Sequence, residues 1–280
     1  MRERGIVLKG IGAGLWTSVV PLASLLVATA CGGEIERRPV VIGSTTSLYD
    51  SGLLDAIVPL FEQDNPDLDV KVLAVGTGQA LALGRRGDAD LLLVHAPADE
   101  LEFLRAGHGR SRITFMRNDF VIAGPADDPA ELRAIDEEEP GPAALAAIWR
   151  AGSQFVSRGD DSGTHKRERA LWEDVGVTPQ APWYQESGQG MGSTLMIASE
   201  RRAYVLTDLA TLTVLGKAVD LEVLAAGGSR LRNLYSVVQT TAGANRDGAE
   251  RLWSWLLSDQ AQAAIATYGV DRFGAPLFSL

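Results

Sequence analysis

The sequence predicts an α/β protein with two lobes, each a mainly parallel sheet flanked by helices, joined by a hinge of two segments. Short apolar runs typical of buried strands alternate with segments that have the apolar spacing of helices, as in proteins with parallel sheets. Two extended segments, at 119–125 and 234–238, interrupt this alternation. The chain has 280 residues, 46% hydrophobic and 22% charged, which is enough for two compact cores.

The first lobe is predicted over 40–118 together with 239–280. Its strands are expected at 40–43, 70–75 and 91–94, and its helices at 53–61, 79–86 and 98–106. Asn65-Pro66 ends the first of these helices, and glycines at 87 and 107 end the other two, because such residues favour helix termination.

The second lobe is predicted over 119–238 and is entered and left through the two extended segments. Helices are expected at 142–151, at 164–175 and from Asp208, and strands at 154–157 and 203–206. Two amphipathic helices between 248 and 268 return to the first lobe, and their Trp253 and Trp255 are interpreted as core residues. Ligand pockets favour the interface between such lobes, so hinge closure on a ligand is the expected motion.

Residues 1–30 are predicted to form a secretory signal peptide, because basic residues precede an apolar run that ends in Ala-Thr-Ala. Cys31 follows directly and is the single cysteine, which excludes a disulfide within the chain. The junction resembles a bacterial lipobox, with Ala28 where leucine is usual, so Cys31 is predicted to carry a lipid anchor. Cleavage that leaves a free thiol is the alternative. Residues 31–39 are predicted to form a short tether, and the protein is expected in the periplasm or on the outer cell surface.

The composition limits the partners. The formal net charge of −10 argues against nucleic acid or an anionic membrane surface. It also means that an anionic ligand would have to be recognised by local contacts rather than by long-range attraction. Three histidines and one cysteine without ligand spacing do not predict a metal-cation site, and no cofactor is predicted.

One pattern recurs three times: an apolar strand, a loop rich in Ser, Thr and Gly, and then a helix start. It occurs as VVIGSTTSLYDSGLLDAI, as VKVLAVGTGQALAL and as FVSRGDDSGTHKRERALW. Each loop places hydroxyls and backbone N–H groups at a helix N-terminus, which suits a tetrahedral oxyanion. Ser and Thr are also common N-caps, so one such loop would be weak evidence. A fourth segment, with glycines at 188, 190 and 192, is either a further donor loop or a tightly packed turn.

Arg158 is the cation in the third loop. A guanidinium presents a planar fork of donors suited to oxyanions. Asp160 or Asp161 could hold that fork in place. In the alternative interpretation Arg158 lies on the surface and Asp161 caps the following helix.

These motifs, together with NDFVIAGPADDPA and GQGMGSTLMIASE, resemble the tungstate-binding receptors of bacterial ABC importers, from about residue 40 to the C-terminal helices. The resemblance implies a two-lobe type II periplasmic-binding fold, tungstate between the lobes, a membrane permease as partner, and no catalysis. The ligand-binding residues it implies are Thr45, Thr46, Ser47, Thr77, Gly78, Arg158, Ser162, Gly163 and Thr164. The Arg-x-Asp-x-Ser-Gly-Thr pattern also resembles phosphate receptors, which implies that Asp160 orients the arginine.

Two alternatives concern the function. Molybdate and phosphate are alternative anions, and Asp50 could supply the acceptor that a partly protonated phosphate needs, or could cap the helix starting near Ser51. A secreted serine-type hydrolase would use Ser162 and His165, which lie three residues apart at a helix start. No G-x-S-x-G elbow is present, so binding without catalysis is predicted.

Overall fold

The structure, a computed structural model, describes residues 37–280. The predicted signal peptide and the predicted lipid attachment at Cys31 lie outside the described residues. Within the described part, no helix combines the length and apolar character needed to cross a bilayer.

The elements alternate along the chain as expected for an α/β protein. The first group is β1 Arg38–Thr45, α1 Thr46–Asp50, α2 Leu53–Asp64, β2 Leu68–Val75, α3 Thr77–Arg86, β3 Leu91–Val94, α4 Pro97–Arg105 and β4 Gly109–Gly124. The second is α5 Pro140–Ala151, β5 Phe155–Ser157, α6 Gly163–Val175, β6 Tyr184–Glu186, α7 Met191–Arg201, β7 Val205–Asp208, α8 Leu209–Leu215 and β8 Glu222–Ala226. The last is β9 Arg232–Thr240, α9 Arg246–Leu256, α10 Asp259–Thr267 and α11 Val270–Phe273.

Local residue chemistry sets many of these boundaries. Thr45, Ser162 and Asp208 are the N-caps of α1, α6 and α8, and each side chain accepts a hydrogen bond from a backbone N–H of the first turn. Gly87, with φ of 81°, and Gly176, with φ of 73°, end α3 and α6 in the left-handed conformation that glycine adopts without steric cost.

Seven of the described strands form one sheet, in the order β2-β1-β3-β9-β4-β7, with β8 also paired to β4. β1 runs parallel to β2 and β3, and β5 and β6 form a separate parallel pair. β9 runs antiparallel to β3 and β4, and β4 runs antiparallel to β7 and β8. The α/β class is confirmed, but the large sheet is mixed rather than mainly parallel. Its long antiparallel pair arises because β4 leaves the first half of the molecule and β9 returns beside it.

Buried apolar side chains form separate cores towards the two ends of β4. Phe115 and Met116 of β4 pack into a core that contains residues of α2, α9 and α10. Phe120 of β4 packs into a different core, which contains Trp172 and Tyr204. In the first core, Trp255 packs edge-on against Phe61 with 5.8 Å between ring centroids. The chain therefore passes from one core to the other within a few residues of β4. The predicted lobe boundaries at 118/119 and 238/239 stay predictions.

Candidate functional site

The three donor loops meet where the two cores face each other. The backbone N–H of Gly163, at the start of α6, donates to Thr77 Oγ1 at 3.1 Å. Arg158 Nη2 donates to Thr46 Oγ1 at 3.2 Å. Both bonds join residues more than 80 positions apart, so the fold brings together the loops that the sequence pattern singled out.

The loop between β1 and α1 supplies a run of hydroxyls. Thr45 and Ser47 are buried, Thr46 is half-buried, and the hydroxyl oxygens of Thr45 and Ser47 are 3.3 Å apart. Thr45 Oγ1 also accepts the N–H of Leu48 at 3.3 Å, so one lone pair of this oxygen is used within the protein. Ser44, which sequence reasoning did not select, is fully buried and its hydroxyl has no hydrogen-bond partner among the described residues. The sequence signal that could have identified Ser44 is its position directly before Thr45, Thr46 and Ser47.

Arg158 lies between β5 and α6 with 2% of its surface exposed, so the alternative of a surface arginine is wrong. Its Nη2 group donates to Asp160 Oδ2 as well as to Thr46. Asp160 Oδ1 in turn accepts the N–H of Ser162 at 3.2 Å. Asp160 therefore holds the guanidinium and shapes the turn before α6. Asp161 instead binds Lys166 and adopts a left-handed backbone with φ of 57°.

The first turn of α6 presents further donors. Ser162 Oγ accepts the N–H of His165 at 3.3 Å, which leaves the hydroxyl proton free to donate. Thr164 is fully buried and its hydroxyl has no partner in the described part of the chain. Gly163 packs so closely on the ring of His95 that an added Cβ would lie 2.7 Å from it. Gly78 contacts Asp161 in the same interface.

The electrostatics of the site favour an anion with full charge. Arg158 Nε, Thr164 Oγ1 and Ser44 Oγ are buried polar atoms without protein partners between residues 37 and 280. Unsatisfied buried donors destabilise a protein, and an oxyanion would satisfy them. The carboxylate nearest to Arg158, that of Asp160, is already engaged by Arg158 and Ser162. The arrangement therefore offers donors and one cation.

Asp50 does not cap α2, whose N-cap is Gly52. It faces the start of α7 across the gap, where a Cβ on Gly192 would lie 3.7 Å from Asp50 Oδ2. Partial desolvation raises the pKa of the Asp50 carboxyl, while the N–H of Gly192 and the charge of Arg158 counteract that rise. The fourth loop, which caps α7 through Gly190, also approaches Thr46. It thus lies at the same interface as the other three loops.

The histidines do not form a hydrolase pair with Ser162. His165 Nδ1 accepts the N–H of Asp161 at 3.1 Å, and Ser162 contacts the backbone of His165 rather than its ring. His95, which the sequence did not single out, is buried with its Nε2 3.4 Å from Ser47 Oγ. Burial lowers the pKa of His95 to about 4, so it is neutral at pH 7. Within 37–280, no cluster of His, Cys, Asp or Glu is arranged to hold a metal ion.

Glu168 is a buried carboxyl beneath the Arg158 loop. It accepts hydrogen bonds from Tyr184 Oη at 2.8 Å and Trp172 Nε1 at 3.2 Å. Burial raises its pKa from 4.5 to about 7, an effect that these hydrogen bonds reduce and the charge of Glu186 increases. Protonation of Glu168 stabilises the folded state, because the folded state binds this proton more tightly than the unfolded state does. This stabilising effect is complete below about pH 4.5. That effect is lost as the pH rises through about 7.

We therefore expect Glu168→Gln to stabilise the protein at pH 8 relative to the parent, and not at pH 4.5. Glutamine keeps an acceptor for Tyr184 and Trp172 but cannot ionise. The gain in unfolding free energy should reach about 3 kcal/mol at most. The pKa of Glu168 rises from 4.5 to about 7 on folding, and each pKa unit corresponds to about 1.4 kcal/mol. Urea unfolding of both proteins from pH 4.5 to 8 measures it. A difference in unfolding free energy that does not change with pH would contradict the expectation.

Comparisons with other proteins give the following matches. A family model described as the PBP superfamily domain matches residues 32–260. The tungstate-binding protein TupA of Peptoclostridium acidaminophilum is 41% identical over 277 residues, 94% of this chain and 96% of the relative. The crystal structure of the tungstate ABC transporter from Geobacter sulfurreducens matches with 40% identity and a TM-score of 0.75, over 82% of this chain and 99% of that one. The structure of the tungstate-binding protein TupA from Desulfovibrio alaskensis G20 matches with 37% identity and a TM-score of 0.71. The match covers 86% of this chain and 98% of that one.

Proposed function

The chain belongs to the PBP superfamily and, within it, to the tungstate-binding proteins, and on this basis we propose that it captures tungstate between its two lobes and delivers it to the permease of an ABC importer. The observation that carries the proposal is the buried Arg158, held by Asp160 and bonded to Thr46 of the opposite half. The family consists of binding proteins rather than enzymes, and binding without catalysis is part of the proposal.

The proposed ligand-binding groups come from the loops that meet at this interface. They are Thr45, Thr46, Ser47, Thr77, Gly78, Arg158, Ser162, Gly163 and Thr164, with Asp160 orienting Arg158. Orphaned hydroxyls at Ser44 and Thr164 support this placement, and Ser44 is added to the set. The lobes are proposed at 40–118 with 239–280 and at 119–238. Support for this division comes from the change of core between Met116 and Phe120.

The choice of tungstate rests on the relatives and on the charge of the site. Tungstate and molybdate are full dianions at neutral pH and need only donors, whereas a partly protonated phosphate gains from a free acceptor. Asp160 is engaged by Arg158, and Asp50 faces Gly192 of α7. The donor set therefore favours a dianion over phosphate. Tungstate and molybdate have the same charge and similar size, so only the relatives' names favour tungstate.

Thermal unfolding tests the proposal directly. Tungstate should raise the melting temperature of the soluble domain, because a ligand specific for the folded state stabilises it by about 2.7 kcal/mol at 100 times its Kd. Calorimetric titrations with tungstate, molybdate, phosphate and sulfate should then rank tungstate first. The oxyanion proposal fails if none of the four shifts the melting temperature at millimolar concentration.

Export and lipid anchoring are also proposed. The chain is expected to leave the cytoplasm through the signal peptide over 1–30 and to be tethered at Cys31. Mass spectrometry of the membrane fraction should find a diacylglyceryl-modified cysteine at the mature N-terminus. Cys31→Ser should release the protein from the membrane without changing its tungstate affinity, because the tether precedes both proposed lobes. A soluble mature parent protein with a free thiol would contradict the anchor and favour plain secretion.

A further inference from the structure

Lys166 connects the two halves of the molecule through an ion pair outside the proposed anion site. Its Nζ lies 2.8 Å from Asp99 Oδ2 and 2.6 Å from Asp161 Oδ1. Asp99 is in the first turn of α4, whose Phe103 packs in a cluster with β3. Lys166 is in α6, whose Trp172 packs in the core of the other half. The Lys166–Asp99 pair therefore spans the interface that must separate when the lobes open.

The Asp99 and Asp161 carboxylates stabilise the charged form of Lys166. A lysine near a helix N-terminus is disfavoured by the helix dipole, and Lys166 occupies the second half of the first turn of α6. Its side chain is 26% exposed, and burial by itself would lower its pKa. The hydrogen bonds and charges of Asp161 and Asp99 outweigh that burial and raise the pKa of Lys166. The cation is thus stabilised by one carboxylate of its own loop and one from the opposite half.

The pair also lies next to the donor loops. Asp161 follows Asp160 in the Arg158 loop, and its carboxylate contacts Gly78 of the opposite half. Lys166 is one helical turn beyond Gly163, whose N–H bonds Thr77 across the same interface. Ordering of Lys166 against Asp99 therefore draws the start of α6 towards the loops of the first lobe.

We infer that Lys166 and Asp99 form a closure latch, an ion pair made only in the closed state that slows the release of the bound anion. Lys166 is a positioning residue in this scheme, because the groups its ammonium binds are Asp99 and Asp161 rather than groups of the anion site. The inference rests on the proposed function for its ligand, but the latch itself is a contact within the protein.

The test is the split between association and release rates of tungstate, followed by stopped flow on the full mature chain. Lys166→Met keeps the length of the side chain and removes its charge. We expect its release rate constant to rise about three- to tenfold, as suits partly exposed ion pairs, and its association rate constant to change less than about twofold. Asp99→Asn should give the same change, and adding it to Lys166→Met should give little more. Lys166→Arg should restore slow release in part.

Lys71→Met is the matched control, because Lys71 forms an exposed pair with Asp69 at 2.7 Å within β2. It should leave both rate constants unchanged. The latch is overturned if Lys166→Met and Asp99→Asn release tungstate at the parent rate, or if their effects simply multiply in the double variant.

A ligand-free measurement separates failure of the latch from failure of the proposed function. Spin labels on cysteines introduced at the exposed residues Leu101 of α4 and Glu173 of α6, with Cys31→Ser, report the distance across the interface. Lys166→Met should shift the distance distribution to longer values even in a protein that does not bind tungstate. An unchanged distribution, in a parent whose labels do sample the short distance, would contradict the latch.

Discussion

Arg158→Ala should weaken tungstate binding about thirty- to several-thousand-fold, because it removes the buried guanidinium that the donor loops enclose. The removal of one member of a buried charge pair typically costs about 2–5 kcal/mol in binding. The effect should be large here because the whole chain carries a net charge of −10, and helix termini supply only about half a charge each. Calorimetric titration of the variant measures the loss.

Related variants set the scale of the Arg158 effect. Thr77→Ala removes one neutral hydroxyl and should cost less. Arg158→Lys should recover only part of the loss, since an ammonium does not present the planar fork, and Asp160→Asn should show a smaller defect of the same kind. Arg112→Ala is the control, because Arg112 pairs with the buried Glu100 at 2.6 Å. It should lower the melting temperature and leave the affinity unchanged. Parent-like affinity in Arg158→Ala would mean that the site is elsewhere.

Gly163→Ala should weaken tungstate binding about 5- to 150-fold, because its new methyl group would meet the His95 ring and hold the lobes apart. The added Cβ would lie 2.7 Å from His95 Cε1 and 2.8 Å from Nδ1. The ring has little room to move, since it is buried with its centroid 4.9 Å from that of Tyr235. Overpacking of this kind costs about 1–3 kcal/mol. If the lobes opened to relieve this contact, the 3.1 Å hydrogen bond from Gly163 N to Thr77 Oγ1 would also lengthen.

Stability of the ligand-free protein separates a closure defect from misfolding. Alanine favours helix more than glycine does, so Gly163→Ala in α6 should leave the melting temperature without tungstate unchanged or slightly raised. Gly192→Ala is the contrast, because Gly192 lies in α7 at the same interface and its Cβ would lie 3.7 Å from Asp50 Oδ2, an ordinary contact distance. It should bind close to the parent. Equal losses in the two variants, or parent-like binding by Gly163→Ala, would contradict the role assigned to the His95 contact.

The sequence was most informative where the determining chemistry is local. Strand β3 has the predicted bounds. Helices α3 and α6 end at Arg86 and Val175, as predicted. These boundaries depend on caps, apolar spacing and glycine conformation within a few residues. The short helix α1 was missed, because five residues rich in hydroxyls read as a loop. The first half of β4 was also missed, because its polar run from Gly109 is stabilised by pairing with β9.

The same division applies to the candidate site. The α/β class, the three hydroxyl-rich helix starts and the cation at Arg158 could be predicted from the sequence alone, since each is a pattern within short segments. The fold was needed to show that Arg158 is buried, that the Ser44 and Thr164 hydroxyls have no partner within 37–280, and that His95 packs on Gly163. It also showed the mixed direction of the sheet. Burial and partnership depend on segments far apart in the chain, and a local pattern cannot specify which of them meet.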